Sequence, residues 1–254
     1  MMNCLSFLKD HFSVQKGMYF TEIQSFGNWT VFTSDIIEDG FWNYAYYNGR
    51  GKLDITDDLA RYFDEKKRPV SIYTTDNQSE YSKNLEKRGF ELISEESFML
   101  FDGCTSVERK IKAIPCDKEH MAQFLDVFGS AYGGEKTPEQ PYGELSQTYM
   151  DSLRRSFSNK SQFRHLICYQ EENPAAIATL CYKDGKGGLY NVGTEPMYRS
   201  KGFGTDVTLG CILEWKGLGG QSLFLQTETG STVESWYKRL GFRTIFIGRI
   251  YSKA

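Results

Sequence analysis

Leu189 to Gly204 reads LYNVGTEPMYRSKGFG, and the order of residue types in it decides what the second half of the chain can be. It opens as a strand, kinks near Gly193 and breaks at Glu195-Pro196. Arg199-Ser200-Lys201-Gly202-Phe203-Gly204 then leads into a helix expected from about Thr205. Glycines between a strand and a helix N-terminus let backbone N–H groups turn inward without Cβ obstruction. Those donors, with the positive end of the helix dipole, form a site suited to a pyrophosphate. Arg199 and Lys201 add side-chain charge at the same place. The spacing is neither the dinucleotide GxGxxG nor a Walker GxxxxGK[ST], and RxxGxG alone is a weak signal.

Outward from this stretch, one pattern is written twice. Ser79 to Phe90 (SEYSKNLEKRGF) and Ser231 to Phe242 (STVESWYKRLGF) both end a helix with Gly-Phe, and the two pairs lie 152 residues apart. At the same offset Val70 to Thr75 falls on Ser222 to Thr227, both short runs of β-formers. A helix is expected before each run. Ile55, Leu59, Tyr62 and Phe63 follow a Thr56 cap in the first copy; Val207, Cys211, Ile212 and Trp215 precede Gly217 in the second. Each half therefore reads strand, helix, strand, helix, then a closing pair of strands. The implied fold class is α/β, a mixed sheet covered by helices. The boundary is expected between residues 105 and 106, giving domains 1–105 and 106–254. Gly133 to Gly143 reads as a loop.

Composition narrows the function. Apolar residues make up 40%, aromatic residues 15% and charged residues 25%, the profile of an ordinary globular chain. Net charge is -3 and no Lys/Arg block stands out, so no nucleic-acid partner is expected. Lys66-Lys67-Arg68 reads as a solvated helix end. Without a long apolar run or a signal-peptide pattern, the expectations are no membrane partner and a cytoplasmic location. Six scattered cysteines and three histidines show no ligand spacing, so no metal is expected.

Val192-x-Thr194-x-Pro196-x-x-Arg199-x-x-Gly202-x-Gly204, followed by Trp236-Tyr237-Lys238-Arg239-Leu240-Gly241-Phe242, resembles the two signature motifs of the GNAT acetyltransferases. The resemblance runs from a leading strand and helix at Arg109 to Phe128 through to the C-terminus. It implies acetyl-CoA as co-substrate and a primary amine, on a small molecule or a peptide, as acceptor. It further implies that backbone groups of Val192 and Thr194 pair with pantetheine. The amides of Lys201, Gly202, Phe203 and Gly204 would hold the pyrophosphate, and Tyr237 would protonate the departing thiolate. A tyrosine of pKa about 10 can serve a thiolate of pKa about 8.5 only with help from geometry. Ser231-x-x-Glu234 reads as a capping box, with Val233, Trp236, Tyr237 and Leu240 on one face.

Many members of the family carry Asn seven residues before this tyrosine; here the position is Gly230. Glu195 and Glu228 are the candidate general bases. The N-terminal half lacks the equipment: Leu85 replaces Tyr237 at the repeat offset, and Gly49-Arg50-Gly51 reads as a turn. The aromatic run Phe41 to Tyr47 reads as sheet core. This half is expected to be a degenerate GNAT-like domain, in a monomer or a homodimer. Competing readings are a non-catalytic acyl-CoA-binding or interaction protein on the same scaffold and a tandem acyltransferase resembling the Fem-type ligases.

Overall fold

The structure is a computed structural model in which residues 4–49, 53–104, 113–134 and 145–253 are described. The elements run α1 (Cys4–Gln15), β1 (Glu22–Phe26), β2 (Trp29–Thr33), β3 (Tyr44–Tyr47), α2 (Asp57–Glu65), β4 (Val70–Thr75), α3 (Ser79–Lys87) and β5 (Glu91–Phe101). There follow β6 (Ile114–Cys116), α4 (Met121–Tyr132), α5 (Gln147–Ser156), β7 (Phe163–Gln170), β8 (Asn173–Lys183) and β9 (Lys186–Thr194). The chain ends with α6 (Phe203–Gly217), β10 (Ser222–Glu228), α7 (Thr232–Arg239) and β11 (Phe242–Lys253). The fold is mixed α/β. Each half closes on one long strand, β5 or β11, where the sequence suggests a pair. In β11 the ladder to β5 is interrupted by register shifts at Thr244/Phe246 and Ile250/Tyr251, which breaks the apparent periodicity without ending the strand.

Two compact units result, and they are not the contiguous halves 1–105 and 106–254. One comprises Met1–Ser106 with Gln226–Ala254; the other is Val107–Leu225. The expected boundary and most of the Gly133 to Gly143 loop lie outside the described residues. The C-terminal segment joins the first unit because β11 is hydrogen-bonded along both flanks there, antiparallel to β4 and to β5. The strand order in that unit is β1-β2-β3-β4-β11-β5.

Its core packs Trp29, Leu59, Phe63, Ile72 and Leu85 under α2 and α3. Thr56 caps α2, its side chain accepting from Leu59 N, as the local sequence requires. Lys66 and Arg68 do not form a solvated helix end. Lys66 pairs with Glu22 at 2.8 Å and Asp35 at 3.2 Å, and Arg68 is largely buried with Nη2 donating to Ser34 O. The residues that receive them are supplied by the segment from β1 to β3, which local charge patterning does not reveal.

In the second unit the order is β10-β9-β8-β7-β6. Helix α6 is apolar almost all round and buries Val207, Leu209, Cys211, Ile212 and Trp215. Of the six cysteines, five are buried and Cys104 is exposed; none is in a disulfide.

His165 of β7 stacks on Phe157, at the end of α5, with ring centroids 3.9 Å apart. It is hydrogen-bonded to Ser156 Oγ at 3.0 Å and Thr179 Oγ1 at 2.9 Å. Burial pushes its pKa down to about 3, so the folded protein holds it neutral. A base with a depressed folded pKa contributes stability above its ordinary pKa of 6.5, and this is lost as pH falls from there towards 3. Thermal unfolding of His165→Phe should therefore be less pH-dependent than wild type across that window. The expected difference is about 2–4 kcal/mol, read from melting curves at paired pH values.

Candidate functional site

The strand that carries the decisive motif is distorted where the motif begins. Register between β8 and β9 slips between Ile177/Gly193 and Thr179/Tyr190, and within that interval Asn191 takes a φ of 54°. The parallel ladder between β9 and β10 pairs only Lys186–Gly188 with Ser222–Phe224. The β10-facing edge from Leu189 to Thr194 is therefore outside that ladder, as an added strand-like ligand would need. Tyr132 of α4 steadies the distorted section, its hydroxyl donating to Val192 O at 2.9 Å.

After β9 the chain turns through the 3-10 segment Pro196–Tyr198 and enters α6 at Gly202, whose φ is 93°. Side-chain-bearing residues avoid this conformation, so glycine here follows from the backbone. Helix α6 starts at Phe203, and the bond from Asp206 N to Gly202 O closes its first turn. The amides of Gly202, Phe203 and Gly204 come before it, where a helix supplies no acceptor of its own. Donors at the positive end of a fifteen-residue helix are the chemistry an anionic diphosphate requires.

The two basic side chains of the loop part company. Lys201 stays exposed, its Nζ 5.4 Å from the centre of the Tyr198 ring. Arg199 turns back onto the protein, donating from Nε to Thr194 O at 3.4 Å and from Nη2 to Ala131 O at 3.3 Å. It ties the end of β9 to the end of α4, so its role in the loop is to hold shape as much as to supply charge. Glu195 is also held by α4: Ser130 Oγ donates to its carboxylate at 2.6 Å. The structure thus brings Val192, Thr194, Glu195, Arg199 and the loop Lys201–Gly204 together in one unit.

Glu228 and Tyr237 belong to the other unit. Helix α7 is capped by Ser231, whose side chain accepts from Glu234 N. The expected reciprocal bond of the capping box is shifted by one residue, since the Glu234 carboxylate accepts from Gly230 N at 2.8 Å. Gly230 has a φ of 73°, so the departure from the family pattern at this position coincides with a turn that favours glycine.

Glu234 is only 5% exposed and also receives Ser97 Oγ at 3.0 Å, Thr244 Oγ1 at 2.6 Å and Lys238 Nζ at 2.8 Å. Burial works to raise its pKa, but these hydrogen bonds outweigh it and hold the carboxyl at about 2. The buried face of α7 is consequently Glu234, Tyr237 and Leu240; Val233 is exposed and Trp236 half-buried. A heptad-style pattern favours the apolar Val233 for the inside, and the partners of Glu234 on β5 and β11 reverse that. The Tyr237 ring lies 4.6 Å from Trp236 and 5.7 Å from Phe242, centroid to centroid. Glu228 is exposed.

Sequence reasoning passed over Glu96 on β5. It is half-buried, and burial first, then the charge of Glu228, pushes its pKa up to about 8. Nothing in its neighbours along the chain, Glu95 and Ser97, sets it apart.

Residues 167–249 match the FR47-like protein family. An uncharacterized N-acetyltransferase of Bacillus subtilis, YobR, is 35% identical over 79 residues, which are 30% of this chain and 32% of that protein. The match thus spans about a third of the length of that relative. A GCN5-related N-acetyltransferase from Kribbella flavida shares the fold with a TM-score of 0.68 at 16% identity, over 97% of this chain and 94% of that one. One from Sphaerobacter thermophilus does so with a TM-score of 0.64 at 10% identity, over 89% and 76%. Residues 167–249 are thus FR47-like, and the fold is that of the GCN5-related N-acetyltransferases.

The matched residues contain the distorted strand, the glycine loop, α6 and α7. The N-terminal segment lies outside that family match, whereas the shared fold with the Kribbella protein extends across almost the whole chain. In chain order, α1 to β5 repeats the succession α4, β7 to β9, α6, β10, α7 and β11, with β6 and α5 added in the second series. At the position corresponding to Tyr237, Leu85 is fully buried in the core of the first unit. Arg50 and Gly51 of the Gly49-Arg50-Gly51 turn lie outside the described residues. Among the described residues no helix is long and apolar enough to cross a membrane.

Proposed function

We propose that this GNAT protein transfers an acetyl group from acetyl-CoA to a primary amine by direct attack of the amine on the thioester. The observation that carries it is the glycine-led entry into α6, where backbone amides precede the helix's own hydrogen-bond ladder. The amides of Lys201, Gly202, Phe203 and Gly204 bind the pyrophosphate, with the Lys201 ammonium nearby. Val192 and Thr194 pair with pantetheine along the edge of β9 that its ladder to β10 leaves uncovered.

Attack of the amine nitrogen on the thioester carbon breaks the carbon–sulfur bond after a tetrahedral intermediate. Tyr237 gives its phenolic proton to the departing sulfur, and a carboxylate takes the proton the amine gives up. Glu195 is the better ordered of the two candidate bases, being hydrogen-bonded to Ser130, while Glu228 is solvated. Holding both reactants in place supplies much of the acceleration, because the attack becomes effectively unimolecular. The N-terminal segment we read as a GNAT-like domain without its own phosphate loop.

Titration calorimetry with acetyl-CoA tests this reading. Wild type should bind, and Gly202→Pro should bind at least about 100-fold more weakly, since proline is locked near a φ of −65° and cannot take the turn. Arg199→Ala should weaken binding by about tenfold, through loss of the loop's anchor to Ala131 and Thr194. No heat at millimolar acetyl-CoA in the wild type would sink the acetyl-transfer assignment.

A further inference from the structure

Tyr44 and Tyr73 are 1% and 3% exposed, yet among the described residues neither hydroxyl has a hydrogen-bond partner. A buried phenolic oxygen left in this way costs about 1–3 kcal/mol, so two side by side call for an explanation. Their rings lie 5.1 Å apart, centroid to centroid. Both sit on one face of the first unit's sheet. Tyr73 of β4 is in parallel register with Tyr46, two residues along β3 from Tyr44.

That face continues onto β11 and β5. Gly248 is the register partner of Thr75 on one side and of Glu96 on the other. A Cβ on Gly248 would fall on the Tyr73 hydroxyl, so the absence of a side chain there gives the phenol its place. Tyr73 thus leans over β11 towards the strand that carries Glu96, whose charge acts on both phenols. Two sealed hydroxyls and a half-buried carboxyl thus share one face of the sheet, on neighbouring strands.

We propose that Tyr44, Tyr73 and Glu96 form a binding site for a protonated primary amine. A primary ammonium has three N–H donors and no acceptor, and here two phenolic oxygens and a carboxylate offer three acceptors. The ring faces favour a cation over a neutral guest. A neutral alcohol of the same shape would leave the carboxylate unpaired.

The other titratable groups around this site are Glu228, which acts on Glu96, and Cys4 of α1 and Tyr46, which act on Tyr73. His11 of α1, beside Phe98, is held neutral by burial with its pKa pushed down to about 3. Arg249, next to Gly248, is taken by Glu95. With its pKa near 8, Glu96 is largely protonated at neutral pH, so an arriving ammonium should expel a proton from it.

Titration of the full chain with n-butylamine, against butan-1-ol as the neutral control, decides the matter. The expected result is saturable amine binding that tightens as pH rises towards 8 and releases a proton, seen as a dependence of the heat on buffer ionisation. Glu96→Gln should weaken it about tenfold or more and abolish the proton release. Tyr44→Phe and Tyr73→Phe should each weaken it about two- to tenfold. Near-UV circular dichroism and a parallel acetyl-CoA titration check that each variant is folded.

No saturable amine binding, equal binding of the alcohol, or wild-type affinity in folded Glu96→Gln would overturn the site. Acetyl-CoA binding without amine binding would remove this inference and leave the acetyl-transfer reading standing. Amine binding without acetyl-CoA binding would do the reverse, leaving an ammonium site on a protein that is not an acetyltransferase.

Discussion

Tyr237→Phe should lower kcat by about 100- to 10,000-fold, the range lost with a general acid, and leave acetyl-CoA affinity within about twofold. The substitution removes one oxygen and keeps the ring, so contacts with Trp236 and Phe242 persist and the helix is not undermined. A tyrosine serving only as packing would lose little or no activity when the hydroxyl goes. The measurement is steady-state acetylation of a panel of primary amines, with acetyl-CoA binding followed in parallel. The kcat deficit should narrow with acceptors bearing poorer nucleophiles, where amine attack and not thiolate departure limits the rate. An unchanged kcat would return Tyr237 to the core and favour a protein that departs from GNAT chemistry at this helix as it does at Gly230.

Glu234→Ala should cost about 3 kcal/mol of stability, more than a cap usually contributes. The carboxylate is the common acceptor for Gly230 N, Ser97 Oγ, Thr244 Oγ1 and Lys238 Nζ. Truncation takes one of two partners from the buried Ser97 hydroxyl and removes the acceptor of the half-buried Thr244 hydroxyl and of the Gly230 amide, and the exposed Lys238 loses least.

The pH dependence follows from the direction of the shift. A carboxyl whose folded pKa is held at about 2, below its ordinary 4.5, contributes stability that is fully present above 4.5. That contribution is lost as pH falls through 2, so wild type should weaken by about 2–3 kcal/mol more than Glu234→Ala across this window. Glu234→Gln should fall between them, since the amide keeps an acceptor and loses the charge. Denaturant melts at several pH values check both statements. Equal stability of Glu234→Ala and wild type at pH 7 would show that water replaces the carboxylate at no cost.

Local rules read correctly what neighbouring residues decide. The mixed α/β class followed from alternating periodicities, the α2 cap from Thr56, and the strand-to-helix glycine turn from Gly202. In each case the interacting groups lie within about one helical turn of one another along the chain, so composition and spacing carry the physics. The GNAT motifs were legible for the same reason, each being a short backbone device. What distant segments decide was not legible. The sequence read Val233 as inward and gave no sign that Arg199 bonds to α4, because nothing near them announces Ser97, Thr244 or Ala131.

The sequence by itself thus determined the mixed α/β class, the cap of α2 and the glycine turn before α6, since these rest on φ preferences, caps and periodicity. Tertiary structure alone decided that β11 pairs with β4 and β5, so that the last segment packs with the first hundred residues. It also decided that Gly248 makes room for the Tyr73 hydroxyl and that Glu96 titrates near 8. Strand register and desolvation depend on residues far apart in the chain, and no local pattern encodes which of them will share a face.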